Sequence, residues 1–284
     1  MIMGHYSPAS IGHYIREIRF IGEYYHKIPV HKLNQKLICN YIIHIREDLG
    51  LGRDKCRMVA QSLSFLFKEV LKKPYVLPSK LYPRRIFKIP VVMSISEVRQ
   101  LLAAPLTLKQ RAICEVFYST GARLSECSRL RIADVDAVNM CIHLRQGKGN
   151  KDRMLLLSPR CYETLKKYYI QYSPREYLFE GQTPNQPCCP SSLRDAIKMS
   201  MKYAGLQHKK YSSNTFRHSF ATHLLNNGVD LLTIKMLMGH SDLRTTMIYL
   251  HLQVKKLLSV ISPLDVLYDR NDLKEDELES DFVI

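Results

Sequence analysis

A proline-containing basic segment at residues 75–91 is the feature that most restricts how this chain can fold. It reads YVLPSKLYPRRIFKIPV, with three prolines and four basic side chains. Because proline has no amide hydrogen and clashes with the preceding helical turn, neither a regular helix nor a central strand is expected to run through it. The 284 residues suffice for about two domains. We therefore predict a first domain at 1–76, a linker at 77–93, a second domain at 94–258 and a tail at 259–284.

The first domain has the periodicity of a small helical bundle. Apolar residues recur at helical spacing in three stretches, residues 11–21, 33–45 and 58–70. Three basic side chains lie at or near the start of the third predicted helix: Arg53, Lys55 and Arg57. We interpret these side chains as candidate DNA contacts.

The second domain is predicted to be mainly α-helical with a small antiparallel β-sheet. Ser94 and Glu97 fit a capping box at its first helix. Its first helices are expected in three ranges: 94–103, 107–119 and 124–130. A β-hairpin is predicted where two strand-like stretches, residues 140–144 and 154–157, flank a Gly/Asn turn at Gly147–Asn150.

The charge of the chain indicates a polyanionic partner. Lys and Arg outnumber Asp and Glu by 42 to 26, a formal +16, with a sequence pI near 9.5. Residues 265–284 hold eight acidic and two basic side chains, so residues 1–264 carry 40 basic against 18 acidic groups, a formal +22. Nucleic acid and an anionic membrane surface are the usual partners of such a surplus. Four further basic residues are candidate DNA contacts, although the first three also fit a solvated connector: Arg84, Arg85, Lys88 and Lys151.

The sequence predicts a cytoplasmic protein without membrane contact. The N-terminus has neither the apolar core nor the cleavage pattern of a signal peptide, and no apolar run approaches the ~20 residues of a membrane span. The eight cysteines contain no CxxC pair and no regular spacing with histidine. We therefore expect free thiols and no zinc site.

Two glycine-containing segments place basic side chains at sharp turns. In TGARLSE, residues 120–126, Gly121 can end a helix and hold Arg123 in a tight junction with the next one. In QGKGNKDR, residues 146–153, glycines on both sides of Lys148 allow close approach to a phosphate. Taken alone, a surface arginine at a helix corner and a solvated hairpin tip are the commoner interpretations.

Two later segments add histidines and a tyrosine. In NTFRHSFATHLL, residues 214–225, Arg217 lies near the positive end of a predicted helix, where a phosphate is also favoured. In LMGHSDLRTTMIYLH, residues 237–251, Gly239 ends a helix and Ser241 or Asp242 can cap a short helix that presents Tyr249. The chain has 17 tyrosines, so Tyr249 alone indicates little.

Together and in this order, the four segments resemble the catalytic domain of the tyrosine recombinase (phage integrase) family, close to its Xer-type and integron-integrase branches. The resemblance runs from about Ser94 to His251. The family has an arginine in GxRxSE, a lysine in GKGNK, an arginine before HxFATH, and a late GH followed nine residues on by a tyrosine. The matching residues are Arg123, Lys148, Arg217, His240 and Tyr249. The first domain is similar in pattern to the family's core-binding domain, a SAM-like helical bundle.

The resemblance implies a site-specific recombinase that cuts and rejoins double-stranded DNA without metal, ATP or another cofactor. Tyr249 would attack a phosphodiester and form a 3′-phosphotyrosine. The non-bridging oxygens would be bound by the two arginines together with His240. Lys148 would protonate the leaving 5′-oxygen, and Glu126 would orient Arg123.

The resemblance also implies an assembly. Two strand exchanges through a four-way junction require several protomers, so we expect a homo-tetramer or hetero-tetramer on DNA. The segment Leu257–Leu267 would dock on a neighbouring subunit, as the corresponding tail does in the family.

One position departs from the family pattern. Asn214 stands where the family usually has histidine, three residues before Arg217. An amide can donate a hydrogen bond to a phosphate oxygen, but it cannot exchange a proton. His218 is near in sequence, but on a helix it is expected to point to another side. General-base help to the tyrosine would then be weakened or supplied elsewhere. Because acid–base assistance is worth about 10²–10⁴-fold, the enzyme could be slower without being inactive.

Three alternatives belong to other functional classes. A recombinase-like protein could bind DNA without cleaving it, although five chemical positions are intact. A type IB topoisomerase-like enzyme would share the nucleophile, but the helical first domain and the Xer-like motifs favour recombination. A basic helical DNA-binding regulator would explain the charge and leave the ordered motifs unexplained.

Overall fold

The computed structural model describes residue 6 and residues 8–75, 89–145 and 152–250. The chain divides into two compact units, Met1–Lys88 and Ile89–Ile284. The predicted tail and residues 77–88 of the predicted linker lie outside the described residues.

The described part of the first unit is a helical bundle. Its α-helices are α1 (Pro8–Tyr24), α2 (Gln35–Glu47) and α3 (Arg53–Phe65), and α3 continues as a π-helical turn, Leu66–Val70. Helix α3 packs against both α1 and α2. The core consists mainly of the aliphatic residues that carried the helical periodicity, among them Ile21, Ile38, Ile42, Ile45 and Leu63. The predicted helical character of this region is therefore confirmed.

The described part of the second unit is mainly helical with one small sheet, which confirms the predicted fold class. Its helices are α4 (Ile95–Ala103), α5 (Leu108–Thr120), α6 (Leu124–Cys127), α7 (Pro159–Tyr172), α8 (Pro190–Tyr203), α9 (Ser213–Asn226), α10 (Leu231–Met238) and α11 (Leu243–Met247). Its strands are β1 (Val135–Asp136), β2 (Cys141–Leu144) and β3 (Arg153–Leu156).

A side-chain cap fixes where α4 begins. The Ser94 hydroxyl accepts a hydrogen bond from the amide of Glu97, and the Glu97 carboxylate accepts one from the Ser94 amide. This is the capping box expected from the sequence. Helix α6 is shorter than predicted, because the chain leaves the helix at Ser128 and the carbonyl of Leu130 accepts a hydrogen bond from the amide of Leu178 at 2.7 Å.

The three strands form an antiparallel sheet in the order β1-β2-β3. Strands β2 and β3 pair from Cys141 with Leu156 to Leu144 with Arg153, so the predicted hairpin strands are present. The predicted Gly147–Asn150 turn lies outside the described residues. The register places Arg153 at the end of β3 nearest that connection.

Helix α5 is the centre of the second unit. It contacts α7, α8 and α9, and Ile113, Cys114, Val116 and Phe117 are buried almost completely. A second cluster of buried apolar residues lies between α9, α10 and the residues after α11, and it includes Tyr249. Packing on both sides of α9 therefore fixes the ends of α5 and α10, which supply the candidate site.

The cysteines are free thiols. Six of the eight are buried, Cys39 is half-buried and Cys189 is exposed. Among the described residues, no helix is both long and apolar enough to cross a bilayer.

Candidate active site

Two glycines end the helices that carry the site. Gly121 follows α5 and Gly239 follows α10, each with φ of +60°, a conformation that glycine adopts without the strain of a side chain. A Cβ at Gly121 would collide with the ring of Phe220, and one at Gly239 would lie 2.9 Å from the Arg153 side chain. Gly121 therefore also requires glycine for space, and a side chain at Gly239 would displace Arg153.

Glu126 is a buried carboxylate with guanidinium partners on both sides. Its side chain is 2% exposed. Arg153 donates to its two oxygens at 3.0 and 2.8 Å, and Arg123 donates from Nη1 at 2.8 Å and from its own amide at 2.7 Å. Burial would raise the pKa of Glu126, but these hydrogen bonds and the charge of Arg153 lower it to about 2. Glu126 is therefore ionised and fixes both arginines.

Arg217 joins the two helix ends. It is the fifth residue of α9 and is 5% exposed. Its Nη1 donates to the carbonyl of Gly121 at 2.6 Å and its Nη2 to the carbonyl of Met238 at 2.5 Å. Burial and the neighbouring charge of Arg123 lower the pKa of Arg217 to about 10, so it remains a cation at neutral pH.

His240 comes directly after Gly239, the residue that ends α10. Its Nδ1 lies 2.8 Å from the Thr246 hydroxyl, in the next short helix. Burial and the charges of Arg217 and Arg123 lower the pKa of His240 to about 4, so the ring is neutral. As predicted, Asp242 caps α11, with its carboxylate accepting from the amide of Arg244 at 3.0 Å.

Tyr249 lies inside the cluster, with 1% of its surface exposed. Its hydroxyl oxygen is 3.0 Å from Nδ1 of His218. Burial raises the pKa of Tyr249 to about 12, although the charges of Arg217 and Arg123 act in the opposite direction. The hydroxyl is therefore protonated at neutral pH, and it lies in the field of both arginines.

The prediction that His218 points away from the site is wrong. Asn214 and His218 are four residues apart on α9, and such residues are neighbours on one face of a helix. The Asn214 side chain is exposed, and no hydrogen bond joins it to another described residue. His218 is half-buried and contacts the tyrosine hydroxyl.

Five of the predicted catalytic residues therefore lie together: Arg123, Glu126, Arg217, His240 and Tyr249. Asn214 is on the same helix as Arg217 but has no described contact within the cluster. Lys148 lies between β2 and β3 in the sequence and falls outside the described residues. The same holds for the predicted DNA contacts Arg84, Arg85, Lys88 and Lys151.

Among the three predicted contacts in the first unit, Lys55 has a structural role. Its ammonium lies 2.5 Å from the carboxylate of Glu17 and 5.1 Å from the centre of the Phe20 ring. Arg57 is exposed and Arg53 is half-buried. Contact of these residues with DNA stays a prediction.

Sequence reasoning missed Arg153 and Thr246, and it placed His218 outside the cluster. A signal for Arg153 existed, because a buried glutamate requires cationic partners and Arg153 ends the GKGNKDR segment. The contacts of His218 and Thr246 join separate helices, and no local pattern reports them.

Within the described residues, one group of side chains could hold a metal ion: Asp136, Cys141 and His143. Their ligand atoms lie within 4.8 Å of one another on β1 and β2. The carboxylate of Asp136 already accepts hydrogen bonds from the amides of Val138 and Asn139. This group has no hydrogen bond to the cluster around Tyr249.

The sequence of the second unit matches a known protein family. The profile described as the phage integrase family matches residues 92–256, more than half of the chain. The chain belongs to the phage integrase family. It is 31% identical to the integrase/recombinase y4qK of Sinorhizobium fredii over 256 residues. This match covers 89% of this chain and 82% of that protein. It is 30% identical to the tyrosine recombinase XerC of Anoxybacillus flavithermus, which covers 87% and 88%.

A solved structure supports the fold of this family member. The XerH site-specific recombinase bound to palindromic difH substrate superimposes with a TM-score of 0.70 at 23% identity, covering 87% of this chain and 77% of that chain. At this identity the likeness concerns the fold alone. The family match and the XerC relative confirm the predicted class of enzyme. The protein is a tyrosine-type site-specific DNA recombinase, and DNA is its partner.

Proposed function

We propose that this recombinase cleaves DNA with Tyr249 as nucleophile, and that Arg123 and Arg217 bind the phosphate under attack. Tyr249 would form a 3′-phosphotyrosine and release a 5′-hydroxyl. His240, neutral at working pH, would donate a third hydrogen bond to a non-bridging oxygen. Glu126 and Arg153 would hold Arg123 in place.

The burial of several like charges in one place supports this proposal most directly. Arg123, Arg153 and Arg217 lie close together, and Glu126 is the carboxylate that hydrogen-bonds to the first two. Three guanidinium groups and one carboxylate leave an excess of positive charge. In a largely buried place, these like charges also repel one another. A phosphodiester supplies the missing negative charge, and arginine matches its oxygens with paired donors.

The reaction conserves the energy of the phosphodiester. Attack by the Tyr249 oxygen forms one phosphate ester as the bond to the 5′-oxygen breaks. We propose that Lys148 gives that oxygen a proton. Rejoining is the reverse reaction with a different 5′-hydroxyl, which exchanges strands.

Strand exchange also implies how the recombinase assembles and where it works. Exchange between two duplexes requires four tyrosines, so we propose a homo-tetramer or hetero-tetramer on DNA, with the segment Leu257–Leu267 docked on a neighbour. A cytoplasmic location belongs to the same proposal, because the substrate is intracellular DNA.

A nicked suicide substrate tests the nucleophile, because loss of the short cleaved fragment traps the covalent protein–DNA adduct. Wild type should form an adduct that resists denaturation, and Tyr249→Phe should form none while it still binds the DNA. Tyr203→Phe, which alters an exposed tyrosine on α8, is the matched control and should react like wild type. An adduct formed by Tyr249→Phe would refute the assignment.

A second candidate function is DNA binding without cleavage. It is favoured by Asn214, which cannot exchange a proton and whose side chain is exposed. Under this alternative, wild type would form no adduct on a site that it binds, and Asn214→His would restore one. Adduct formation by wild type would exclude the alternative.

A further inference from the structure

We propose that His218 accepts the phenolic proton of Tyr249 as the tyrosine attacks, a transfer that Asn214 cannot perform. The inference rests on the proposed function, because it requires Tyr249 to be the nucleophile. It adds a catalytic residue that acts on the attacking oxygen itself.

The geometry brings the two groups into direct contact. Nδ1 of His218 and the hydroxyl oxygen of Tyr249 are 3.0 Å apart, within the range of a hydrogen bond. Their ring centres are 5.8 Å apart at an interplanar angle of 54°. Among the described residues, His218 is the one whose side chain hydrogen-bonds to this hydroxyl. The attacking oxygen therefore has a proton acceptor within reach.

The electrostatics keep both groups in the protonation states that the transfer requires. Burial and the charge of Arg217 lower the pKa of His218 below its ordinary 6.5, so its ring is neutral at pH 7. The pKa of Tyr249 is about 12, so the phenol retains its proton. A neutral imidazole with its hydrogen on Nε2 presents a lone pair at Nδ1, which accepts the bond from the phenol.

Helix geometry explains why His218 can take over the role. Residues four apart on an α-helix are offset by about 40° and rise about 6 Å along the axis. His218 is therefore on nearly the same face of α9 as Asn214, one turn closer to the C-terminus. Arg217, which binds the helix ends that form the site, adjoins it in the chain. The same helix thus carries both a phosphate ligand and the proton acceptor.

The proton balance is complete without another co-reactant. As the tyrosine oxygen forms its bond to phosphorus, its proton moves to Nδ1 of His218 and gives an imidazolium. The bond from phosphorus to the 5′-oxygen breaks, and that oxygen receives a proton from Lys148. During rejoining the imidazolium returns its proton to the leaving tyrosine oxygen, and the incoming 5′-hydroxyl gives its proton to Lys148.

The first test measures single-turnover adduct formation on the suicide substrate. Because acid–base assistance is worth about 10²–10⁴-fold, His218→Gln should react at least 10²-fold more slowly with unchanged DNA affinity. Adding Asn214→His should restore part of that rate. His223→Gln is the matched control, since His223 lies on the same helix but bonds to Tyr118 at 2.8 Å. A His218→Gln protein that is folded and reacts at the wild-type rate would overturn the inference.

A substrate with sulfur in place of the 5′-bridging oxygen separates this role from that of the general acid. A thiolate leaves without protonation, so it should restore Lys148→Ala and leave His218→Gln slow. Restoration of His218→Gln by this substrate would overturn the inference. Absence of any wild-type adduct would instead refute the proposed function, which keeps the two failures apart.

The pH profile gives a result that a merely structural role would not. The charged and titratable groups that act on this pair are Arg217, Arg123 and His240. Arg217, whose pKa is about 10, stays protonated, and His240 titrates near pH 4. Because protonated His218 cannot accept a proton, the wild-type rate should fall as the pH drops below 6.5 through the His218 pKa. His218→Gln should lack that fall, and an unchanged profile would contradict the inference.

Discussion

Glu17 in the helical bundle and Glu126 in the second unit are both buried against basic side chains, and the two clusters differ in how the charge is balanced. In the helical bundle, Glu17 is 1% exposed and pairs with Lys55, whose side chain is 30% exposed. In the second unit, Glu126 is 2% exposed, and its partners Arg123 and Arg153 are 25% and 11% exposed. Arg217, at 5%, adds a further buried cation.

This difference separates a structural ion pair from a binding site. Lys55, whose side chain is 30% exposed, has Glu17 as its partner, so one carboxylate balances one ammonium. Arg123, Arg153 and Arg217 outnumber the single carboxylate of Glu126, and Arg153 and Arg217 are largely removed from water. Excess buried charge costs folding energy, and it is retained where a ligand of opposite charge completes the site.

The largest expected effect tests whether the buried cations serve the reaction. Arg217→Lys keeps the positive charge but loses the paired donors of the guanidinium. We expect adduct formation to fall by about 10²–10³-fold, as when one donor to a developing oxyanion is removed. Single-turnover cleavage on the suicide substrate measures it. A rate close to that of wild type would show that the charge alone is sufficient and would weaken the comparison.

The next effect concerns stability. The pKa of Glu126 is about 2, against 4.5 for an ordinary glutamate. At about 1.4 kcal/mol per pKa unit, the ionised form contributes on the order of 3 kcal/mol. Glu126→Gln should lower the free energy of unfolding by about this amount at pH 7. Urea unfolding of the full chain measures the change.

The stability that the Glu126 carboxylate contributes depends on pH. A carboxylate whose pKa is lowered in the folded state stabilises the fold above about pH 4.5, and this contribution is lost as the pH falls toward 2. The difference between wild type and Glu126→Gln should therefore shrink below about pH 5. Glu17→Gln is the matched control. Its cost should be smaller, about 1–2 kcal/mol, because the Lys55 ammonium left behind can be hydrated.

The sequence predicts those features of the fold that local chemistry determines. The helix ends at Gly121 and Gly239 require a positive φ, and the capping box at Ser94 and Glu97 needs two side chains three residues apart. Arg123 and His240 could be placed beside those helix ends for the same reason. The end of α6 was predicted too late, because the pairing that draws the chain away at Leu130 involves residue 178.

The contacts between distant segments could not be predicted in this way. The hydrogen bond from Tyr249 to His218 spans 31 residues, and that from Arg153 to Glu126 spans 27. Each depends on how α9, α10 and the sheet pack, which no single segment encodes. A resemblance assigns roles position by position, so at Asn214 it indicated only that the family's usual histidine is missing. It gave no indication that the next turn of the helix supplies a proton acceptor.

The smallest expected effect extends the comparison to DNA binding by the bundle. Arg57 is exposed on α3, whereas Lys55 is engaged by Glu17. If Arg57 contacts a phosphate, Arg57→Ala should weaken DNA binding several-fold and reduce the slope of log affinity against log salt by about 1. Lys55→Ala should mainly lower the stability of the bundle, because it leaves the Glu17 carboxylate buried without its ammonium partner. Binding measured between about 50 and 200 mM salt, with urea unfolding of both variants, distinguishes the two roles. If Lys55→Ala reduced the salt slope and left the stability unchanged, Lys55 would contact DNA although it pairs with Glu17.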